Sequence, residues 1–305
     1  MFKQSPSKRY TPNATHQNIL LVGMRNFAIL CFFVVLCMQN VLAQSPWTRG
    51  KASFYAQAAW QTIPTYNSIY DDAAAGNKRS LEREITENTF QLYGEYGITR
   101  KTTVLAAIPF RFVRSGDIVG TGPTQLKAGE LSGFGNVTLA VRQNFKSENI
   151  AFSGQLRVDF PMNRVGQGTG LSTGFDALTV LPSLSLGKGY GHYYWFVYAG
   201  WGARGLISNH FVNAGAETGL KWRKHWLILF SDFWQHTGSD TYAVSPNNAK
   251  TGLFLPNQSF WAFGGKGIVS FNRFFGGILT AAGAFNGDLV PSQPAYSVGF
   301  YFKWD

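Results

Sequence analysis

The stretch "IAFSGQLRVDFPMN", residues 150–163, alternates between two kinds of side chain along its whole length. One set is apolar and comprises Ile150, Phe152, Gly154, Leu156, Val158, Phe160 and Met162; the other comprises Ala151, Ser153, Gln155, Arg157 and Asp159. Because successive side chains of a β-strand point to opposite faces, this pattern predicts a strand between an apolar and a polar medium. A soluble sandwich would bury the apolar face, whereas a membrane barrel would turn it toward lipid.

The composition of the chain favours the membrane barrel. Charged residues make up 14% of the 305 residues, against about 25% in ordinary soluble domains. Aromatic residues reach 16% and there are 34 glycines. Only residues 27–38 form a long apolar run, and it is shorter than the roughly 20 residues of a spanning helix. We therefore predict an all-β fold, a transmembrane antiparallel β-barrel. Arg157 would cost about 2–4 kcal/mol in lipid, so its face is predicted to line the lumen.

The rhythm of strands and connections supports this prediction. Short connections alternate with mostly longer ones, as in outer-membrane barrels, whose periplasmic turns are short and whose extracellular loops are long. The short ones lie at 99–101, 146–149, 188–191, 223–224 and 272–274. About 12 strands are predicted, at 51–63, 85–98, 102–114, 134–145, 150–163, 176–187, 192–207, 213–222, 225–236, 259–271, 275–286 and 295–304. Both termini are predicted to be periplasmic in a Gram-negative outer membrane.

Residues 1–43 are predicted to be a signal peptide with an upstream extension. Arg25 precedes the apolar run 27–38, and a small residue, Ala43, ends the segment, as at a signal cleavage site. Met24 opens a complete signal and is the predicted start. Residues 44–305 are then a single barrel domain. Both cysteines, Cys31 and Cys37, fall in the signal, so disulfides, zinc–thiolate sites and thiol nucleophiles are excluded from the mature chain.

The positive charge of the chain does not indicate nucleic-acid binding. The full sequence carries +11; four of these charges (Lys3, Lys8, Arg9 and Arg25) lie in residues 1–43, which hold no acid, so the mature chain carries +7. The basic residues are scattered among strands and turns rather than clustered on a helix. The densest group, "KWRKH" at 221–225, falls at a short turn. We predict no nucleic-acid partner.

The C-terminal stretch "GFYFKW", residues 299–304, resembles the closing-strand signal that the assembly machinery of Gram-negative outer membranes reads. Val298 stands where a polar residue is usual, and Asp305 follows where the aromatic residue is normally terminal. This resemblance implies two partners, the barrel-assembly machinery and outer-membrane lipid.

Three stretches together resemble one barrel family. They are "LYGEYGIT" (92–99), "AAIPF" (106–110) and "SGFGNVTLAVR" (132–142). They are similar to the outer-membrane barrel family associated with the phenol-degradation (MetA) pathway, over about residues 85–160. Asn136 stands where that family usually has an acid. The resemblance implies an outer-membrane protein that moves small, aromatic or hydrophobic compounds, and it implies no catalytic residue.

Strand parity selects the side chains predicted to line the lumen. They are Glu95, Arg142, Arg157, Asp159, Arg204, Glu217, Lys221 and Lys266. A hairpin near 208–212 is predicted to place Arg204 opposite Glu217 as a cross-strand charge pair. Such charges could form a constriction that selects solutes, or an internal network that plugs the barrel. Twelve strands leave room for either a narrow passage or a plugged lumen.

An outer-membrane lipid hydrolase is the third hypothesis. Ser208 and His210 lie in "ISNHFVN", and Asp232 and His236 in "SDFWQH". Acyl transfer needs a nucleophile, a base and an orienting group in contact, and nothing in the sequence brings these residues together. The glycine run 166–174 lies between strands and is predicted to be a flexible outer loop rather than a phosphate site.

The sequence therefore predicts a passive channel or transporter for a small molecule, without enzyme activity, metal or cofactor. The alternative is a plugged barrel that acts structurally or adhesively through its outer loops. Five tryptophans are predicted to lie at the headgroup level of the membrane, as in the aromatic girdles of barrels: Trp60, Trp195, Trp201, Trp226 and Trp261.

Overall fold

The fold is taken from a computed structural model, which describes residues 44–72, 77–119, 125–205, 209–237 and 246–304. The predicted signal segment, with Cys31 and Cys37, lies outside these ranges, as does Ser208. The division into a signal and a barrel domain therefore stays a prediction.

The described residues form thirteen β-strands and one helical turn. The strands are β1 (Phe54–Asp72), β2 (Asn77–Gly97), β3 (Thr102–Ile118), β4 (Gly129–Phe134), β5 (Val137–Lys146), β6 (Ala151–Phe160), β7 (Thr179–Gly189), β8 (Tyr193–Arg204), β9 (Asn209–Trp222), β10 (His225–His236), β11 (Ser259–Ser270), β12 (Phe275–Pro291) and β13 (Ala295–Trp304). The helical turn, α1, is Pro246–Ala249.

These strands close into a twelve-stranded antiparallel barrel, as predicted. Neighbouring strands in sequence pair with each other, except that β4 and β5 together form the fourth barrel strand; β1 pairs with β13 to complete the ring, from Phe54↔Trp304 to Thr62↔Tyr296. The fourth barrel strand is interrupted: β4 and β5 both pair with β3, and Gly135 and Asn136 lie between them. The sequence predicted this strand from residue 134, but it begins at Gly129.

The break in the fourth strand anchors a loop. The side-chain amide of Asn136 donates to the carbonyl of Phe175 at 2.8 Å, and its oxygen accepts the backbone N–H of Phe175 at 2.7 Å. A Cβ at Gly135 would lie 2.8 Å from the carbonyl oxygen of Thr173, so this position needs glycine. A carboxylate at position 136 could accept the hydrogen bond from the Phe175 N–H but could not donate one to the Phe175 carbonyl. The amide of Asn136 makes both hydrogen bonds.

The wall of the barrel is apolar outside and polar inside. On β6, Phe152, Leu156 and Phe160 are exposed, whereas Ser153 and Asp159 are buried against the interior. The same alternation places large apolar side chains on the outer face of the other strands. A closed barrel with this apolar exterior is suited to lipid. Among the described residues, no helix is both long and apolar enough to cross a membrane.

The connections are sorted between the two ends of the barrel. The turn end, as we call it, carries the connections 98–101, 147–150, 190–192, 223–224 and 271–274 and the last residue of β13. The loop end carries 161–178 and 237–258, together with shorter connections. The sorting of turns and loops is confirmed. Residues 64–84, which were predicted to connect the first two strands, are mostly strand, because β1 extends to Asp72 and β2 begins at Asn77.

The loop end is covered by a packed apolar cluster, which we call the loop-end cap. Inward side chains of the upper strands meet one leucine from each long connection. The cap consists of Ile63, Tyr66, Ile69, Leu81, Ile85, Val113, Leu171, Leu253 and Ala295. Leu171 belongs to the glycine-rich run 166–174, which lies in a loop between strands as predicted, but this residue is fixed by packing in the cap. The leucine gains burial by packing over the barrel mouth.

Candidate solute passage

The residues before β1 enter the lumen at the turn end. Gln44 is 4% exposed, and its amide donates to the side-chain oxygen of Asn213 at 2.7 Å. The carbonyl of Pro46 accepts hydrogen bonds from the side chains of Asn144, at 3.2 Å, and of Ser153. Residues 44–48, which we call the N-terminal segment, therefore occupy one side of the lumen.

Aromatic contacts fix the same segment against β8. The ring of Trp47 packs edge-on against Tyr194 and Phe196, with centroids 5.6 and 5.9 Å away. Two residues after Trp47, the backbone N–H of Arg49 donates a hydrogen bond to the hydroxyl of Thr103 at 2.8 Å. The sequence offered no signal for this arrangement, since residues 44–49 have no strand pattern and no motif.

Glu95 and Arg142, two predicted lumen residues, lie in one buried cluster. Glu95 accepts hydrogen bonds from Arg49 Nε and from the Tyr93 hydroxyl, both at 2.5 Å. Arg142 Nη1 lies 3.7 Å from the carboxylate of Glu95 and donates to the carbonyl of Trp47 at 3.0 Å. Arg142 is 1% exposed. The cluster ties the N-terminal segment to the wall, because a buried charge needs both a counter-charge and hydrogen bonds.

Arg157 and Asp159 form a second pair, nearer the loop end. Arg157 Nε lies 2.8 Å from Asp159 Oδ1, which also accepts from the Thr138 hydroxyl at 2.6 Å. Close to it stands an ion pair that the sequence analysis missed, between Glu87 and Arg111. The guanidinium of Arg111 lies 4.2 Å from the centroid of the Phe254 ring. Strand parity, applied to every charged residue, would have found both partners.

Glu217 and Lys266 form the third pair. Lys266 Nζ lies 3.5 Å from Glu217 Oε2, and the Tyr194 hydroxyl donates to the other carboxylate oxygen at 2.7 Å. The lysine side chain retains 21% of its exposure, so it remains accessible from the lumen. In the turn-end half of the lumen, the Glu217–Lys266 pair is more exposed than the other pair of predicted charges, Glu95–Arg142.

The predicted Arg204–Glu217 pair is wrong. The connection between β8 and β9 lies at 205–208, earlier in the chain than the predicted hairpin near 208–212. Arg204 therefore pairs with Asn209, and Glu217 lies opposite Phe196. Arg204 instead donates to Thr179 Oγ1 at 3.3 Å, with its guanidinium 3.5 Å from the centroid of Phe175.

Lys221 and Trp226 lie together at the turn-end mouth. Lys221 Nζ lies 5.8 Å from the centroid of the Trp226 ring, which packs edge-on against Tyr194. Trp226 was predicted to belong to the outer girdle, but it lines a lumen pocket with Tyr194. Trp226 pairs with Lys221 across the ladder between β9 and β10, and both side chains lie on the inner face of the barrel. By contrast, Trp60, Trp201 and Trp261 are exposed on the outer face, as predicted.

Two of the residues weighed for a hydrolase, His210 and Asp232, lie on opposite faces of the barrel wall. His210 stacks on the outward ring of Trp201, with centroids 4.7 Å apart. Asp232 lies on the inner face, where it accepts hydrogen bonds from Tyr198 and Asn213 at 2.7 Å and from Trp234 at 2.9 Å. Two residues on opposite faces of the wall cannot form a base and its orienting group.

Two chambers lie along the lumen, and none of residues 44–48 lines either of them. An outer chamber of about 130 Å³ is bordered by the Arg157–Asp159 and Glu87–Arg111 pairs and by Asp232. An inner chamber of about 290 Å³ is bordered by Tyr55, Glu95, Phe230 and the Glu217–Lys266 pair. Gln61 and Gln91 border both chambers.

A third space opens at the turn end. This vestibule, of about 280 Å³, is lined by Trp47, Tyr194, Trp226 and Glu217. Tyr194 and Glu217 also border the inner chamber. The three spaces thus adjoin in sequence, with amide, tyrosine and charged side chains along them. Such a lining can accept a small solute through successive weak contacts.

Glu82 ties a loop to the upper part of β2. Outward positions of β2 change from Phe90 and Leu92 to Glu82 and Glu84, so this part lies beyond the apolar belt. The Glu82 carboxylate lies 3.0 Å from Lys250 Nζ and accepts the N–H groups of Gln125 and Leu126 at 2.9 and 3.1 Å. Burial raises the pKa of Glu82, but these hydrogen bonds outweigh it and the net pKa is lowered.

A lowered pKa predicts that the Glu82–Lys250 tie weakens in acid. Its contribution is present above the ordinary carboxyl pKa and is lost as pH falls through the lowered one. A spin label at Asn248→Cys, in an otherwise cysteine-free mature chain, should become more mobile between about pH 5 and pH 3. Glu82→Gln should give high mobility at every pH, whereas Glu130→Gln, at an exposed pair, should behave as wild type. A wild-type label whose mobility ignores pH would contradict the prediction.

Comparisons with known proteins concern the fold. No protein-family model matches the chain, and no curated protein matches it. Among solved structures, the COG4313 outer membrane channel from Pseudomonas putida F1 is similar with a TM-score of 0.62 and 14% identity, over 87% of this chain and 100% of that one.

Two further similarities are weaker. The β domain of the Bordetella autotransporter BrkA has a TM-score of 0.48 and 9% identity, over 83% of this chain and 100% of that one. The CymD monoaromatic hydrocarbon channel has a TM-score of 0.45 and 8% identity, over 84% and 89%. The first similarity establishes an outer-membrane barrel fold; these two add nothing to it. The predicted membership of the phenol-degradation family is supported only at the level of this fold.

Proposed function

We propose that this protein is an outer-membrane channel through which a small solute crosses passively. The turn end would face the periplasm and the loop end the outside. Two features support this orientation. The short connections gather at the end where β13 finishes, and the long ones gather at the other end, as in bacterial barrels.

The succession of three adjoining spaces carries the proposal. The vestibule, the inner chamber and the outer chamber share bordering residues in turn, on the side of the lumen that the N-terminal segment leaves open. A barrel filled by its own side chains would have no such succession of spaces. The solute would enter past the loop-end cap and leave between Trp47 and Trp226.

The lining indicates the chemistry of the solute. Tyr55, Phe230 and Tyr194 offer aromatic faces, and Gln61 and Gln91 offer amide donors and acceptors. Three ion pairs border the chambers, Glu87–Arg111, Arg157–Asp159 and Glu217–Lys266, so a solute of high charge would have to disrupt an ion pair. These features favour a small, amphipathic solute, including an aromatic one.

A plugged barrel is the second candidate. The loop-end cap and the N-terminal segment are the observations that favour it, because each fills part of the lumen. In that case the long loops at 161–178 and 237–258 would carry a structural or adhesive role. The C-terminal strand would be the part recognised by the assembly machinery under either proposal.

Single-channel conductance of refolded residues 44–305 in a planar lipid bilayer separates the two candidates. We expect discrete current steps. Folded, inserted protein without steps would end the channel proposal and favour the plug.

Ion selectivity tests the place of the Glu217–Lys266 pair. Lys266→Gln leaves the carboxylate of Glu217 without its cation, so the reversal potential in a salt gradient should shift toward cation selectivity. Glu217→Gln should shift it toward anions. Arg157→Ala should shift it in the same direction as Lys266→Gln. Arg114→Gln, at an exposed pair near the loop end, is the control and should leave it unchanged. Equal reversal potentials in all four variants would remove these charges from the passage.

A further inference from the structure

The turn end carries a ring of cations without acidic partners. The turn-end ring, as we call it, consists of Arg100, Lys146, Lys188, Arg223, Lys224 and Arg273. None of them makes an ion pair with a described residue. Across the five connections of this end, all of which the structure describes, Glu148 is the one acid. The predicted charge of the mature chain is thus concentrated at one end.

The loop end shows the opposite arrangement. Three of its cations are matched by acids: Arg79 lies 3.1 Å from Asp71, Arg114 lies 3.6 Å from Glu130, and Lys250 lies 3.0 Å from Glu82. Lys78, Lys127 and Arg164 make no ion pair with a described residue, but further acids lie at this end, namely Glu84, Asp117 and Asp176. The turn-end ring therefore reflects a difference between the ends rather than a general excess of basic residues.

Aromatic side chains place the ring at the surface of a lipid layer. The guanidinium of Arg273 lies 4.4 Å from the centroid of Phe274, that of Arg223 lies 5.6 Å from Trp222, and Lys188 Nζ lies 4.9 Å from Tyr190. Trp222 is 70% exposed on the outside of the barrel. Aromatic rings at a barrel rim mark the headgroup level, so the cations beside them lie where lipid phosphates lie.

The distribution of the ring identifies its partner. Each of the five connections, or a strand end beside it, supplies at least one of its cations, so the charge runs around the whole circumference. A protein partner would contact one sector, whereas a lipid leaflet surrounds the barrel. We propose that the turn-end ring binds the phosphate groups of anionic phospholipids in the leaflet on that side.

Quenching of tryptophan fluorescence by brominated lipids tests this proposal on refolded residues 44–305. The relative affinity for brominated phosphatidylglycerol over brominated phosphatidylcholine is measured in mixed vesicles, at low and at high salt. Trp222 and Trp304 report from the turn end. We expect a preference for the anionic lipid of about fivefold, which corresponds to one favourable contact between a cation and a phosphate at each lipid site. This preference should decline at high salt.

Two sets of variants complete the test. Replacing the six ring residues by glutamine should reduce the preference to near onefold. A matched set at the loop end, Lys78→Gln, Arg114→Gln, Lys127→Gln and Arg164→Gln, should retain it. Folding is checked by heat-modifiable migration on gels. If the sixfold variant does not fold, the double variant Arg223→Gln and Lys224→Gln should lower the preference reported from the turn end.

Three outcomes would overturn the proposal. They are equal affinities for both lipids in the wild type, a preference that survives in the ring variants, or an equal loss in the loop-end set. An anion-selective reversal potential that disappears in the ring variant, without any lipid preference, would assign the ring to solute steering instead.

Discussion

Removal of residues 44–48 should enlarge the channel. A protein that begins at Arg49 keeps the Arg49–Glu95 contact but loses the N-terminal segment from the lumen. Because that segment occupies one side of the turn-end half, its removal should increase the single-channel conductance about twofold or more. The measurement is single-channel recording of the refolded protein in a planar bilayer, beside the full 44–305 chain.

The controls for this deletion separate the segment from the fold. Ser45→Ala, within the segment, removes a local hydrogen bond from the Trp47 N–H to the Ser45 hydroxyl but leaves the contacts of Gln44, Pro46 and Trp47 with the barrel wall in place, so it should keep the wild-type conductance. Heat-modifiable migration should show that the shortened chain still forms the barrel. If the conductance of the shortened chain equals that of wild type, the loop-end cap is the main barrier to current.

Replacement of Arg142 by methionine should strongly destabilise the barrel. Arg142 is 1% exposed and contacts Glu95, Gln155 and the carbonyl of Trp47. Methionine matches much of its length but leaves the carboxylate of Glu95 with Arg49 as its remaining cation. Breaking a buried pair in this way costs about 3 kcal/mol of unfolding free energy. Urea unfolding in lipid vesicles, followed by tryptophan fluorescence, measures this loss.

A double-mutant cycle tests the assignment of that loss. If the loss comes from the Glu95 carboxylate, which keeps only one of its two cations, Glu95→Gln combined with Arg142→Met should be more stable than the sum of the single losses implies. Arg114→Met, at a pair with highly exposed side chains, should leave stability unchanged. Strictly additive losses at Glu95 and Arg142 would contradict the proposed coupling.

The same variant connects stability with passage. Arg142 holds the carbonyl of Trp47, so Arg142→Met should also release the N-terminal segment from its wall. We expect its conductance to move toward that of the chain beginning at Arg49. A destabilised barrel that keeps the wild-type conductance would show that Pro46 and Gln44 are sufficient to hold the segment.

Strand parity determined much of the lumen from sequence. A side chain's face depends only on its position within one strand, and the alternation of period 2 is local. Arg157 and Asp159 therefore appear on the inner face without any knowledge of the neighbouring strands. The same local rule would have placed Glu87 and Arg111 inside, had it been applied to them.

Contacts between strands were less accessible. The opposition of Arg204 to Glu217 depended on a guessed hairpin, and the short connection between β8 and β9 placed Asn209 there instead. The position of the turn sets the register between two strands. An error of a few residues in that position therefore separates a predicted pair entirely. Trp226 was misplaced because amphipathic rings suit both a girdle and a lumen.

The sequence by itself determined the fold class, the sorting of turns and loops, and the inner and outer faces of the strands. Each of these follows from local alternation and from composition, which do not require distant parts of the chain to be placed. Only the tertiary structure decided which charges meet, where the N-terminal segment lies, and that Leu171 and Leu253 pack in the loop-end cap. Those features depend on barrel closure, which brings residues that are far apart in sequence into contact. The side-chain pattern along one strand carries no information about which distant residues it will contact.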